Sequence, residues 1–130
     1  MTESLDLEDV LAAADAALGR PAQVRDIGIL EAAVARSRAT AFGEDAYPDV
    51  HTKAAALLHS IVTGHGLVDG NKRLGWTACR LFYRLNGLDL RMPSNLAFEL
   101  VLAIADGSVR DVAAIASRLS PYVGDLPAGG

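Results

Sequence analysis

His65-Gly66-Leu67-Val68-Asp69-Gly70-Asn71-Lys72-Arg73 separates the two most strongly helical stretches of the chain. On its N-terminal side Ala54, Leu57, Leu58, Ile61 and Val62 recur at helical spacing, a stripe wide enough to sit at the centre of a core. On its C-terminal side Leu74, Ala78, Leu81, Phe82 and Leu85 repeat the pattern until Asn86-Gly87 stops it. Gly64, Gly66 and Gly70 break the periodicity in between. The run therefore reads as a loop between two core helices.

Working outward, Leu7, Val10, Leu11, Ala14 and Leu18 form an amphipathic stripe. Ser4 or Asp6 caps its start, and Gly19 followed by Pro21 ends it. A second helix is predicted after Asp26, with Ile27, Leu30, Ala33 and Val34 inward and Glu31, Arg36 and Arg38 outward. Residues 39–48 read as an ordered loop, and Asp49 caps the third helix. Pro93-Ser94 opens a helix through Ala105 that Asp106-Gly107 closes. Ser108 with Asp111 resembles a capping box for the last helix, where Val112, Ile115, Ala116 and Leu119 face inward. No stretch alternates as a strand would. The expectation is a compact all-α single domain over residues 1–120, with a flexible tail over 121–130.

A chain of 130 residues suits one domain. Its abundant Ala favours helix, because Ala loses no side-chain entropy there. The net charge of −4 argues against general nucleic-acid binding, which needs excess Lys and Arg. Cys79 stands alone, so no internal disulfide forms. The acidic N-terminus lacks a signal peptide's pattern, and no apolar run spans a bilayer. A cytoplasmic protein with no membrane association is expected.

The loop's residues suit phosphate chemistry. Gly70 allows close backbone approach, and a helix starting at Asn71 points unpaired N–H groups into the turn, where they and the helix dipole favour an anion. Lys72 and Arg73 occupy the first turn, where that dipole disfavours cations; a bound phosphate would remove the mismatch. Asp69 is a candidate magnesium ligand, since magnesium takes few carboxylates and completes its shell with phosphates and water. His65 has an ordinary pKa of ~6.5 and suits a general base at neutral pH.

The nine residues resemble the signature loop of the Fic/Doc superfamily, H-x-F-x-D/E-G-N-x-R, in the D-G-N-K-R form of its death-on-curing (Doc) branch. The likeness extends to Arg25-Asp26-Ile27-Gly28-Ile29-Leu30-Glu31, to Tyr47-Pro48, to the helix of Ala54–His59 and to Leu85-Asn86-Gly87. It covers roughly Leu5 to Leu119. It implies a Fic-type helical bundle with the active-site loop between two core helices.

The resemblance also implies the reaction. Adenylylating members carry Gly where this chain has Lys72, and typically a second Arg where it has Trp76. Doc-like members carry the Lys and act as protein kinases. The implied activity is that of a toxin of a type II toxin–antitoxin system, an ATP-dependent kinase that phosphorylates a Ser/Thr hydroxyl of elongation factor Tu and arrests translation. His65 is then the base and Asp69 the Mg2+ ligand; Gly70 and Asn71 cradle phosphate, and Lys72 and Arg73 stabilise the transferring group. The alternatives are an adenylyltransferase and a catalytically silent binding domain. Leu67 stands where the family usually has a loop-anchoring Phe, and is expected to fill the same pocket.

The self-inhibitory S/T-x-x-x-E-G/N motif of many Fic proteins has only a near match here, Thr40 to Glu44 followed by Asp45. The resemblance thus implies control by a cognate antitoxin whose disordered tail folds on binding. Other polar residues have plainer readings: His59 as a buried, hydrogen-bonded histidine, His51 as solvated, and Arg80 and Arg84 as the wet face of a helix. Cys79 and Trp76 are expected in or near the core.

Overall fold

The chain runs α1 (Leu7–Leu18), α2 (Ile27–Ser37), β1 (Thr40–Ala41), β2 (Glu44–Asp45), α3 (Val50–Gly64) and α4 (Asn71–Leu85). It continues through β3 (Leu88–Leu90), α5 (Ser94–Ala105), α6 (Val112–Leu119), a 3-10 turn (Ser120–Tyr122) and β4 (Val123–Asp125). The computed structural model describes residues 2–127. The fold is all-α, a bundle built around α3, which packs against α2, α4, α5 and α6, while α1 lies on α4.

Helix α3 can be central because most of its middle is small or apolar and buried. Lys53, Ala54, Ala55, Ala56, Leu57 and Leu58 are consecutive and all buried. The small Ala side chains let neighbouring helices approach closely. Across α4, a Cβ added to Gly75 would meet Val62 Cγ2 at 2.6 Å, so glycine is what permits this contact. The buried Lys53 reaches out to Asp45 Oδ2 at 3.0 Å.

The helix ends follow local chemistry. Asp6, not Ser4, caps α1: its carboxylate accepts from the Asp9 N–H at 2.8 Å, and Asp9 returns the bond to the Asp6 N–H at 3.0 Å. Gly19 closes the helix with a left-handed φ of +66°. Asp49 caps α3 through the Thr52 N–H.

Several expectations need correction. Ile27 is exposed, because a side chain at the first helical position leans back over the connector rather than over a preceding turn. Leu81 and Leu85 are also exposed. The buried face of α4 is centred on Leu74, Ala78, Cys79, Phe82 and Tyr83, which leaves those two leucines at its edge. Arg36 is half-buried rather than outward: it donates to Tyr47 Oη, His59 Nδ1 and Ser60 Oγ, each at 2.9 Å. Ser108 forms no capping box with Asp111; its N–H and hydroxyl both bond Asp106, and Asp111 caps α6 without a side-chain hydrogen bond.

Short strands also occur where none were expected. β1 and β2 form a hairpin through Phe42 and Gly43, both with positive φ. Residues 121–125 are not a free tail: β4 pairs antiparallel with β3, Leu90 opposite Val123. Two- and three-residue strands are too short for alternation to register. The last residues, 128–130, lie outside the described part of the chain.

Candidate active site

His65 ends α3 in the left-handed conformation, φ 56° and ψ 45°, so the chain turns sharply out of the helix at the candidate base itself. The connector between α1 and α2 then holds the loop almost residue by residue. Arg25 Nε donates to the His65 carbonyl at 2.7 Å, and its Nη2 to the Gly64 carbonyl at 3.4 Å. The backbone N–H groups of Arg25 and Asp26 both donate to the Gly66 carbonyl, at 2.8 and 3.0 Å. Val24 bridges Leu67, and the Val68 N–H donates to the Gln23 carbonyl at 2.9 Å. Gly66 is required by this closeness, since a Cβ there would lie 2.6 Å from Leu30 Cδ2.

Leu67 is 1% exposed and belongs to the core. Asn71 fixes it from the other side: its Oδ1 accepts from the Leu67 N–H at 2.9 Å and its Nδ2 donates to the Leu67 carbonyl at 3.0 Å. The Asn71 side chain is buried and committed to the loop, so the part of Asn71 free to meet a ligand is its backbone N–H. Gly70 precedes it at φ 92° and no side chain caps α4, which leaves the first-turn N–H groups open. Gly70 also lies against α1, where a Cβ would meet Leu18 Cδ2 at 2.5 Å.

These residues enclose a cavity of about 390 Å3, lined among others by His65, Asp69, Gly70, Asn71, Lys72 and Arg73. The structure therefore brings together all the sequence-proposed site residues except Leu67, which lies beneath them. Asp69 is the single carboxylate on the lining, and its side chain is 85% exposed. No cluster of three His, Cys, Asp or Glu able to hold a metal occurs among the described residues. One accessible carboxylate among three cations, Arg20, Lys72 and Arg73, fits a magnesium ion carried by a phosphate ligand, and not a site closed by protein ligands alone. Lys72 and Arg73 also line an adjoining apolar groove with Trp76, Ala97, Phe98 and Leu102.

The family model described as the Fic/DOC family matches residues 4–83, more than half of the chain and the whole loop. The chain belongs to the Fic/DOC family. It is also 44% identical over 131 positions to Toxin Doc from Mycolicibacterium smegmatis (strain ATCC 700084 / mc(2)155), covering 99% of this chain and 100% of that protein. The similarity to Toxin Doc, within that family, puts it on the Doc branch.

Within this Fic/DOC domain two residues near the site carried no signal in the loop itself. Arg20 follows the cap of α1, lines the cavity, and brings Nη2 to 3.7 Å from Asp69 Oδ2. Arg25 lies 40 residues before the carbonyl it holds. A guanidinium whose partners are backbone carbonyls leaves no pairwise pattern in a sequence; only its place in the resembling stretch 25–31 marked it.

The other polar candidates serve the scaffold. His51 is only half-exposed: its Nδ1 lies 2.9 Å from the hydroxyl of buried Tyr83, whose pKa burial raises, with Cys79 and Asp49 adding to the shift. His59 is half-buried and its pKa is lowered by burial and by Arg36. Burial pushes the Cys79 thiol up to about 12, which removes it as a nucleophile. Arg84 lies 3.7 Å from Asp89, and Arg80 is exposed on the same face. No helix among the described residues is long and apolar enough to cross a membrane.

Proposed function

We propose that this Doc-branch protein is the toxin of a toxin–antitoxin pair and transfers the γ-phosphoryl group of ATP to a Ser or Thr hydroxyl of elongation factor Tu. The observation that carries this reading is the position of Lys72, which lines both the cavity and the adjoining apolar groove. A glycine there would leave room for a diphosphate; the ammonium instead presents a cation to one terminal phosphoryl group. Trp76, in the groove, supplies no charge to hold more distant phosphates. Both features favour phosphoryl over adenylyl transfer.

In the proposed reaction His65 accepts the proton as the target oxygen forms its bond to the γ-phosphorus. The bond from that phosphorus to the β,γ-bridging oxygen breaks, and ADP leaves with the pair. Lys72, Arg73 and the open N–H groups of α4 stabilise the charge spread over the transferring oxygens. Asp69 would hold the magnesium ion, which neutralises phosphate charge when bound.

The groove beside the cavity fits the regulator. Phe98 is 66% and Leu102 44% exposed, and an antitoxin tail folding as an amphipathic helix would cover them. Acidic residues on such a tail would meet Lys72 and Arg73, shielding the cations and blocking the cavity together.

Incubation with elongation factor Tu and ATP labelled on the γ- or the α-phosphate tests the reaction. γ-label on the factor is the expected outcome. α-label on it means adenylyl transfer, and no label at any magnesium concentration means a silent binding domain; either overturns the kinase reading.

A further inference from the structure

We infer that Arg20 is a third phosphate-binding cation of this site, parked on Asp69 in the ligand-free protein and released when Asp69 turns to a metal ion. The inference rests on the phosphate-transfer reading of the cavity and adds to it a residue from outside the signature loop.

Three observations converge on Arg20. Its backbone is fixed: the Asp15 carbonyl accepts from the Gly19 N–H at 3.0 Å, and the Asp15 carboxylate accepts from the Ala22 N–H at 2.9 Å, so both sides of Arg20 are tied to one residue. Its neighbour in α1, Leu18, lies directly under Gly70, which sets this end of α1 against the phosphate turn. Its side chain lines the cavity together with Lys72 and Arg73, and is half exposed.

The plainer role for Arg20 is to complement the C-terminal dipole of α1. That role does not account for a guanidinium lining the cavity and lying 3.7 Å from its one carboxylate. The pair is long and exposed, so it adds little to stability and opens readily. A metal ion held by Asp69 would compete with Arg20 for this carboxylate. Once displaced, the guanidinium is left beside the phosphates with a planar fork suited to two of their oxygens. Lys72 and Arg73 reach the cavity from α4, and Arg20 reaches it from the segment that follows α1.

Titration calorimetry on the full chain with the β,γ-imido analogue of ATP and magnesium tests this without requiring turnover. Arg20→Gln is expected to weaken binding about tenfold, as loss of one charge-assisted hydrogen-bond pair does. Arg20→Lys should recover part of the loss, and any weak binding of adenosine should be unchanged. If the analogue binds, Lys72→Ala weakens it and Arg20→Gln stays within twofold of the parent, the role of Arg20 is overturned and the phosphate site stands. If the parent protein does not bind the analogue, both fall. Thermal melts of the variants, expected to match the parent, separate lost contacts from lost fold.

Discussion

His65 occupies a left-handed backbone that β-carbons disfavour, and in the proposed reaction the same residue would offer a ring nitrogen to the substrate. Asn is the substitution that separates the two, because it tolerates that backbone and has no basic nitrogen. His65→Asn is expected to lower phosphoryl transfer about 10^2–10^4-fold, the usual contribution of a general base, with an unchanged melting temperature. A variant that kept full activity would remove His65 from the chemistry. His65, Asp69, Lys72 and Arg73 were legible in the sequence because their types and spacing lie within one turn of chain. The hydrogen-bonding role of the Asn71 side chain was not. Sequence marks an Asn before a helix as a cap or ligand, whereas here its amide is spent on both backbone groups of Leu67.

Between elements, the contact of α2 with α3 includes a polar cluster centred on Arg36, which sequence periodicity assigns to solvent. Arg36 has only donors, so the His59 nitrogen facing it must accept, and the ring is neutral with its proton on Nε2. Protonation would set two cations together in a half-buried site. The folded pKa of His59 is therefore below the ordinary 6.5, which burial and Arg36 both enforce. The unfolded chain then binds more protons in the window below 6.5, so the stability due to neutral His59 is complete above that value and is lost as pH falls toward the folded pKa. Denaturant melts at stepped pH should show stability falling below pH ~6.5; His59→Gln should flatten that dependence. An identical slope in the variant would assign the acid sensitivity elsewhere. The groove of α4 and α5 makes a second prediction at this scale. If the groove holds the antitoxin as proposed, Phe98→Glu, which replaces an exposed apolar surface with charge, should weaken antitoxin capture at least tenfold while leaving the proposed γ-phosphoryl transfer within about twofold. Pull-down affinity and γ-label transfer, measured on the same preparation, check the two halves separately.

Across the whole molecule the architecture follows from the distribution of apolar residues, and that is why the helices were readable while the chain's final segment was not. A helix of 15 residues such as α3 repeats its stripe several times; a three-residue strand states its pattern once, among Pro and Gly that suggest a loose end. What holds β4 is non-local. The Arg91 N–H donates to the Tyr122 carbonyl at 2.8 Å, Arg91 Nη2 to the Asp125 carbonyl at 2.6 Å, and the Leu126 N–H to the Gly87 carbonyl at 3.0 Å. Asp89 orients the same guanidinium at 3.1 Å. Tyr122 and Val123 pack on the core beside Leu88, so the segment covers the apolar strand that follows α4. A frayed tail could be removed without effect, and a paired strand could not. A chain ending at Ser120 should lose the ladder and this cover, about 2–3 kcal/mol in all, and melt about 10 °C lower. The cavity lies between α1 and the α3–α4 loop, with no residue of this segment on its lining, so binding of the imido analogue below the new melting temperature should persist. Equal melting temperatures for the two chains would show that β4 adds nothing to the fold.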